Sequence, residues 1–348
     1  MQPLVSIMIP NFNHSRYLDE CIQSAIHQTY KNLEIVVLDN MSTDNSVEIA
    51  SKYLLDKRVK VCRNQINILN RSYNILADTL TDGKYMMLLC ADDYIYPDFI
   101  YQAVEIMETN PNVGYVHGEK DFVLADGTVQ YWDPFFKCSF IAPGRNIMPI
   151  YMMTTVAHPS QGVFRRRAFQ EIGGYEMEID YTQADRALWF YLSWQNDAAY
   201  IREKMCGIRI GNQTETFIGQ QNFQLPIMDY LIILNFIRFA REKEIPEVYN
   251  REEEAMEKLA NGLTDCAIGI LLSGNQDLAQ AYIDYAKVVS RKICKNEKYI
   301  LVKKMLIERL ISTQKLSSLI TNPAQKKRGY EPPKGYVELR RGIDYGKK

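Results

Sequence analysis

Between positions 5 and about 116, short apolar runs alternate with stretches whose apolar residues recur every three or four positions. That is the pattern of parallel strands joined by crossover helices, an α/β architecture. Val5-Ser6-Ile7-Met8-Ile9 stops at Pro10, and Leu33-Glu34-Ile35-Val36-Val37-Leu38 stops at Asp39-Asn40. Further strands are predicted over 59–62, 85–89 and 113–116. Leu18, Cys21, Ile22, Ala25 and Ile26 form one apolar stripe on an intervening helix. A second helix is predicted after Ser42-Thr43-Asp44, whose side-chain oxygens suit an N-terminal cap, with Val47, Ala50 and Leu54 turned inward. Ligands of open α/β sheets bind beyond the carboxyl ends of the strands, which directs attention to 10–13, 39–44 and 90–93.

From about 121 to 219 the pattern loosens into mixed strands, Pro- and Gly-bearing loops and one helix over 183–193 with Leu188, Trp189 and Leu192 inward. This stretch is expected to complete the same domain. After Pro226 helix formers dominate, with helical period over 231–241, 252–272 and 277–288. The division predicted is an α/β domain over 1–222, a helical region over 223–322, and a flexible basic tail over 323–348. That tail carries eight basic against three acidic side chains, so its surplus of five makes the rest of the chain acidic.

Composition narrows the classes. The chain has 348 residues, 47% apolar, enough for a full core, and 41 basic against 42 acidic residues give a formal charge of −1. Nothing in that balance points to nucleic acid, which draws a strongly basic face. No apolar run reaches the roughly 18 residues that cross a bilayer, and the first residues lack a basic-then-apolar leader. Seven scattered cysteines with no Cys-x-x-Cys pair read as reduced thiols, so a cytoplasmic location is expected. No Gly-x-Gly-x-x-Gly, P-loop or Gly-x-Ser-x-Gly element is present.

The segment from Val5 to Asn13, then Ile35-Val36-Val37-Leu38-Asp39-Asn40-Met41-Ser42-Thr43-Asp44, then Leu88-Leu89-Cys90-Ala91-Asp92-Asp93 together resemble glycosyltransferase family 2 in order and spacing. The resemblance spans roughly 5–213. It implies a GT-A fold, a mostly parallel Rossmann-like sheet with flanking helices, and inverting transfer of a sugar from a nucleotide-sugar. A diphosphate leaving group gains negative charge as its bond to the sugar breaks, so a divalent ion belongs beside it; hard oxygen ligands suit Mn²⁺ or Mg²⁺. By the resemblance Asp92 is the metal ligand, matching the last acid of an Asp-x-Asp motif whose first acid is replaced by Cys90. The plain reading of Asp92 and Asp93 is a capped turn after a strand.

Within the expected nucleotide-sugar site fall Pro10, Phe12, Asn13, Asp39, Asn67, Arg71, Asn74, Ala91, Asp92, Asp93 and Arg209. A strand-end carboxylate can accept from the N3–H of uracil, and the resemblance gives Asp39 that task, with Phe12 packed against the base. Asp44 reads rather as a helix-capping acid. Asn67, Arg71 and Asn74 match the stretch lining base and ribose, although Asn67-Ile68 departs from the commoner Asn-x-Gly loop. Arg209 precedes Ile210 where relatives carry His, and is expected to neutralise diphosphate charge. Gly173-Gly174-Tyr175-Glu176 followed by Gln183-Ala184-Asp185-Arg186-Ala187-Leu188-Trp189 resembles the family's Gly-Gly-Tyr and Glu-Asp-x-x-Leu-Trp segments, which makes Asp185 the base that takes the acceptor proton. The helix starting there is expected to favour the ionised carboxylate. His158 faces either the acceptor or its own turn.

The expected reaction is therefore transfer from a UDP-sugar to a hydroxyl of a glycan or lipid-linked acceptor, in bacterial surface-glycan synthesis. The rival is a catalytically weak nucleotide-sugar-binding or scaffold protein, because Cys90 and Ala184 stand where acids are common. Lys292, Lys295, Lys303, Lys304 and Arg309 interleave with apolar residues. This is the pattern of a peripheral helix on the inner face of a membrane, of a packed helix with a solvated basic edge, or of a homodimer contact.

Overall fold

A computed structural model describes residues 2–69, 71–175, 184–211, 215–308, 312–319 and 329–339. Eleven strands share one sheet: β1 (Val5–Asn11), β2 (Leu33–Asp39), β3 (Val59–Arg63), β4 (Tyr85–Leu88), β5 (Tyr94–Ile95), β6 (Val113–Val123), β7 (Val129–Gln130), β8 (Phe140–Ala142), β9 (Gly162–Arg165), β10 (Asp197–Arg209) and β11 (Val337–Glu338). Their order is β11-β8-β10-β6-β9-β4-β1-β2-β3, with β5 on β10 and β7 on β6. β3, β2, β1 and β4 run parallel, so their carboxyl ends share one edge, as the sequence predicts. Beyond β4 the sheet departs from the mostly parallel expectation. β9 enters antiparallel between β4 and β6, and β8 and β11 are antiparallel additions at the far edge. β10 nevertheless runs parallel to β6, so the antiparallel strands are the short ones, β5, β7, β8, β9 and β11, set among or beside the parallel ones.

Helices α1 (Ser15–Ile26), α2 (Ser46–Ser51), α3 (Arg71–Ile75), α4 (Phe99–Thr109), α5 (Gly144–Met153), α6 (Arg166–Glu171) and α7 (Ala184–Gln195) connect these strands. Leu18, Cys21, Ile22 and Ala25 of α1 are buried with Val5, Ile7, Ile9, Ile35 and Val37, which is the stripe the spacing predicts. α2 stops at Ser51, one turn short, so Leu54 lies exposed instead of inward. β6 runs seven residues past its predicted end because His117, Glu119 and Asp121 are buried there with polar partners. Glu119 accepts from the Phe135 N–H at 2.6 Å and from the Tyr200 hydroxyl, and Tyr96 donates to Asp121 at 2.9 Å.

The chain divides into two compact units, 1–148 with 155–211 and 328–348, and 149–154 with 212–327. The second contains α8 (Glu215–Gln221), α9 (Gln224–Glu242), α10 (Pro246–Tyr249), α11 (Glu252–Leu272), α12 (Gln276–Val289), α13 (Glu297–Glu308) and α14 (Thr313–Leu319). Ala260, Leu263, Ala267 and Leu271 of α11 share its core with Tyr282, Ile283 and Ala286 of α12 and Tyr299, Val302 and Met305 of α13. Lys292 bridges to Glu253 at 2.7 Å and also to Glu257, and Lys298 to Asp265 at 2.9 Å; Arg309 falls outside the described residues. Within the tail expected to be flexible, residues 329–339 pack on the α/β unit. Tyr330 bridges Phe136, Val337–Glu338 pairs with β8, and the Leu339 N–H donates to the Ser139 carbonyl at 2.9 Å. Apolar and aromatic residues within the basic stretch, Tyr330 beside Phe135 at 4.8 Å among them, account for the docking.

Candidate active site

At the carboxyl ends of β1 and β2 a polar knot replaces the apolar core. Asp39 is 1% exposed. It accepts from the Asn11 side chain at 3.0 Å and the Ser42 N–H at 3.0 Å, and Arg63 lies 3.3 Å away. Three of the carboxylate's roughly four lone-pair positions are so engaged, leaving one. Ser42 Oγ accepts from Asn11 at 3.1 Å and from the Asn13 N–H at 2.9 Å, while Asn13 Oδ1 takes the Thr43 N–H at 2.8 Å. Asn40 reaches the next loop, donating to Asn67 at 2.6 Å and accepting from Asn64 and from the Ile68 N–H. Asn11 Oδ1 is buried with no hydrogen-bond partner in the structure. Asp44 caps as predicted, accepting from the Ser15 N–H at 2.9 Å and the Ser46 N–H at 3.0 Å. Burial opposes its charge, yet the bonds from Ser46 and Ser15 outweigh it and hold the carboxyl at about 2.

Above this knot the chain bends through left-handed backbone at three non-glycine residues, Asn13 (φ 58°), Met41 (φ 68°) and Leu69 (φ 52°). Asn tolerates that region; Met and Leu pay for it. Phe12, Met41 and Leu69 are 42%, 45% and 55% exposed, so large apolar surface is offered beside the knot. Pro10, half-buried, lies within β1, which keeps its register with β2 as far as Asn11 beside Asp39. Such strain concentrates where function over-determines the backbone.

At the end of β4, Ala91 is buried, and the two aspartates that follow part company. Asp92 is half-buried, and its carboxylate has no hydrogen-bond partner among the described residues. Asp93 turns inward, 1% exposed, accepting from Ser160 Oγ at 2.7 Å and the Arg209 N–H at 3.0 Å, with His158 Nδ1 at 3.4 Å. Burial first, then the charge of Asp92, pushes its carboxyl well above the ordinary range. Asp93 therefore organises the turn, with its carboxylate held by Ser160 and the Arg209 N–H. Arg209 is engaged differently from expectation. Its guanidinium donates to the Asp92 carbonyl, pairs with Glu20, and lies 4.3 Å from the Tyr17 ring centroid and 5.6 Å from that of Tyr94.

Asp185 stands in the first turn of α7 and accepts from the Arg186 N–H at 2.7 Å. One turn on, Trp189 Nε1 donates to the Ala157 carbonyl at 3.0 Å, next to His158. Through that contact the start of α7 is tied to the loop whose His158 and Ser160 hold Asp93. The helix N–H and the charges of Lys120 and Arg186 favour the anion, but burial outweighs them, and the carboxyl is pushed up to about 6. The expectation that the helix start would dominate is thus reversed. Residues 176–183 and 212–214, which hold Glu176, Gln183 and the end of the Arg209 motif, lie outside the described residues.

Two further predicted residues fall out of the site. Asn74 spends its amide on Tyr175, accepting from its N–H at 2.8 Å and donating to its carbonyl at 3.1 Å. It clamps the Gly-Gly-Tyr turn, where Gly174 has φ +90° and a Cβ would meet Asn74 Oδ1 at 2.8 Å. Arg71 is exposed at the start of α3, without a side-chain partner among the described residues. Sequence reading missed Asn11, Asn40, Arg63 and Ser160, whose only signal is a polar residue at or just past a strand end. The donor set suits a hard divalent cation: Asp92 offers one open carboxylate, and such ions take few protein ligands, keeping water and phosphate oxygens for the rest.

Comparison with known proteins follows the same outline. Residues 6–173 match the model of glycosyl transferase family 2. An uncharacterized glycosyltransferase of Haemophilus influenzae is 40% identical over 115 residues, 32% of this chain and 35% of that protein. Glycosyltransferase GlyG of Streptococcus pneumoniae is 31% identical over 127 residues, 35% of this chain and 42% of that protein. The chain thus spans less than half the length of either relative. Among solved structures, S. aureus TarS 1–349 in complex with UDP-GlcNAc superposes with a TM-score of 0.58 at 16% identity, covering 88% of this chain and 92% of that one. A mannosyltransferase from Pyrobaculum calidifontis in complex with GDP-Man and Mn²⁺ gives 0.53 at 15% identity, covering 89% of each. These likenesses show the GT-A fold. Over residues 6–173, just under half of its length, the chain is similar to glycosyl transferase family 2.

Proposed function

We propose that the protein is an inverting glycosyltransferase that moves a sugar from a UDP-sugar to an acceptor hydroxyl on a glycan or lipid-linked glycan, in bacterial surface-glycan synthesis. The observation that carries this reading is the split between two adjacent aspartates. Asp93 is consumed by the fold, while Asp92 presents an open carboxylate at the ends of the parallel strands. A divalent ion, Mn²⁺ or Mg²⁺, held there by Asp92 would neutralise the diphosphate as it departs. The nucleotide-sugars and Mn²⁺ named with the structural neighbours support the same donor class.

The chain's own residues divide the remaining work. Asp39, through its unengaged lone pair, accepts from the N3–H of uracil, and Phe12 offers the flat face beside it. Asp185 takes the proton from the acceptor oxygen as that oxygen bonds the anomeric carbon and the carbon's bond to UDP breaks. Attack opposite the leaving group inverts the centre.

Thermal melts with UDP and UDP-sugars, with and without Mn²⁺, test the reading, since a bound ligand raises apparent stability. The expected result is a Mn²⁺-dependent shift that Asp92→Asn removes; no shift with any nucleotide would sink the proposal. The second reading, a weakly catalytic nucleotide-sugar binder, is favoured by Arg209, whose charge is already matched by Glu20. Binding without slow Mn²⁺-dependent hydrolysis of any donor would decide for it.

A further inference from the structure

One side-chain cluster at the strand ends has no task in the proposed transfer. Among the described residues, the Cys90 thiol, the Asp93 carboxylate and the His158 imidazole each place a ligand-type atom within 4.8 Å of the other two. We propose that these three side chains form a binding site for a borderline divalent metal of the Zn²⁺ class, separate from the hard-cation ligand Asp92.

The donor types carry the argument. One sulfur, one nitrogen and one carboxylate oxygen is a set that selects Zn²⁺ or Co²⁺ over Mn²⁺ or Mg²⁺, which prefer oxygen alone. Ligand bonds of about 2.0–2.3 Å in a tetrahedron place neighbouring donors roughly 3.3–3.8 Å apart. His158 Nδ1 and Asp93 Oδ2 already stand at 3.4 Å, and the Cys90 sulfur lies within 4.8 Å of a ligand atom of each.

Supporting contacts are in place as well. Ser160 Oγ donates to Asp93 at 2.7 Å and accepts the Cys90 N–H at 2.9 Å, fixing both neighbours. The Arg209 N–H holds the other carboxylate oxygen at 3.0 Å. Oriented ligands of this kind are what metal sites build with their outer contacts. Cys90 and His158 are both half-buried, which gives an ion a route in. Three protein ligands leave a fourth position open, the arrangement of sites that bind an exchangeable group. A metal there would also join the β4 end to the 158–161 turn through coordinate bonds.

Titration of the purified protein with Co²⁺ tests this without reference to activity. The expected result is one equivalent bound with visible d–d bands of a four-coordinate ion and a near-ultraviolet thiolate-to-cobalt band, reversed by Zn²⁺ but not by Mn²⁺. Cys90→Ser is expected to abolish the thiolate band. His158→Ala should weaken binding by more than the roughly 10- to 100-fold typical of losing an outer contact, and Ser160→Ala by an amount inside that range. Asp92→Asn should leave the bands intact. Circular dichroism checks that each variant folds, and His158→Ala serves if Cys90→Ser does not. Absent bands in the folded protein, or a thiolate band that survives in Cys90→Ser, overturn the proposal. So does loss of Co²⁺ binding in Asp92→Asn alone. None of these outcomes touches the nucleotide-sugar reading, which the melts with UDP decide.

Discussion

The two units solve the problem of burial in opposite ways. In the helical unit, Thr264 and Ser290 are the buried polar residues among those described, and the core is otherwise Ala, Leu, Ile, Val, Met and Tyr. In the α/β unit, Asn11, Asp39, Asn40, Ser42, Asp93 and Ser160 are buried at or next to strand ends, His117, Glu119 and Asp121 along β6, and Ser6 and Glu34 near the amino ends of β1 and β2. Burying a polar group costs free energy unless each donor and acceptor is matched, so helices alone supply stability more cheaply. The α/β unit bears that cost where its loops converge, and the candidate chemistry lies in the same place. The difference locates function by where polarity is hidden, not by where it is displayed.

Substitutions that act on one unit only put this contrast at risk. The largest effect is expected from Asp185→Asn, a loss of about 100- to 10,000-fold in kcat with UDP affinity nearly unchanged. Retained turnover in a kinetic assay ends the assignment. The base must be ionised, and its carboxyl sits at about 6. The wild-type rate should therefore fall about tenfold per pH unit below that value and level off above it, and the variant should lack that limb. Next comes Ile283→Ala in the helical core, expected to lower unfolding free energy by about 2–5 kcal/mol in denaturant melts. The UDP-dependent melting shift should persist; its disappearance would erase the distinction between the units.

Asn74→Ala removes two hydrogen bonds to Tyr175, worth about 1 kcal/mol each. Because it loosens the turn leading to α7, kcat should drop more than nucleotide affinity, which steady-state kinetics and binding titration separate. The smallest effect belongs to Met41→Gly. Relief of left-handed strain is worth about 1–2 kcal/mol, partly offset by about 0.4–1 kcal/mol of added unfolded-chain freedom. Stability should rise slightly while donor affinity falls, if the exposed thioether meets the ligand. A rise in both would show that Met41 serves neither.

Much of this was legible in the chain and some was not, for reasons that differ residue by residue. The parallel strands, α1 and the long helices of the second unit announce themselves because their apolar period is set by burial on one face. The same holds for Asp39 and Asp92, which interrupt apolar runs abruptly. β6 was read short because a strand carrying His117, Glu119 and Asp121 looks like solvent-facing chain until Tyr96 and Tyr200 arrive from distant positions. The contacts of Asn74 and Arg209 are illegible for a related reason: an amide or guanidinium serves a ligand or a backbone equally well, and Tyr175 and Glu20 arrive from distant positions. Asp185 was placed from its motif, but the direction of its proton affinity depends on how much water α7 excludes, which no local pattern records.

The return of the chain to β8 has a consequence for how the molecule is built. Because the chain passes between the units at 148/149, 154/155, 211/212 and 327/328, the helical unit is inserted within the α/β unit, whose last piece is the segment that carries β11. Deleting everything after 322 would strip β11 from β8 and bare a row of unpaired amides and carbonyls, the template on which sheets add foreign strands. Aggregation of such a truncation would then report a lost selvedge of the sheet and not a lost membrane anchor.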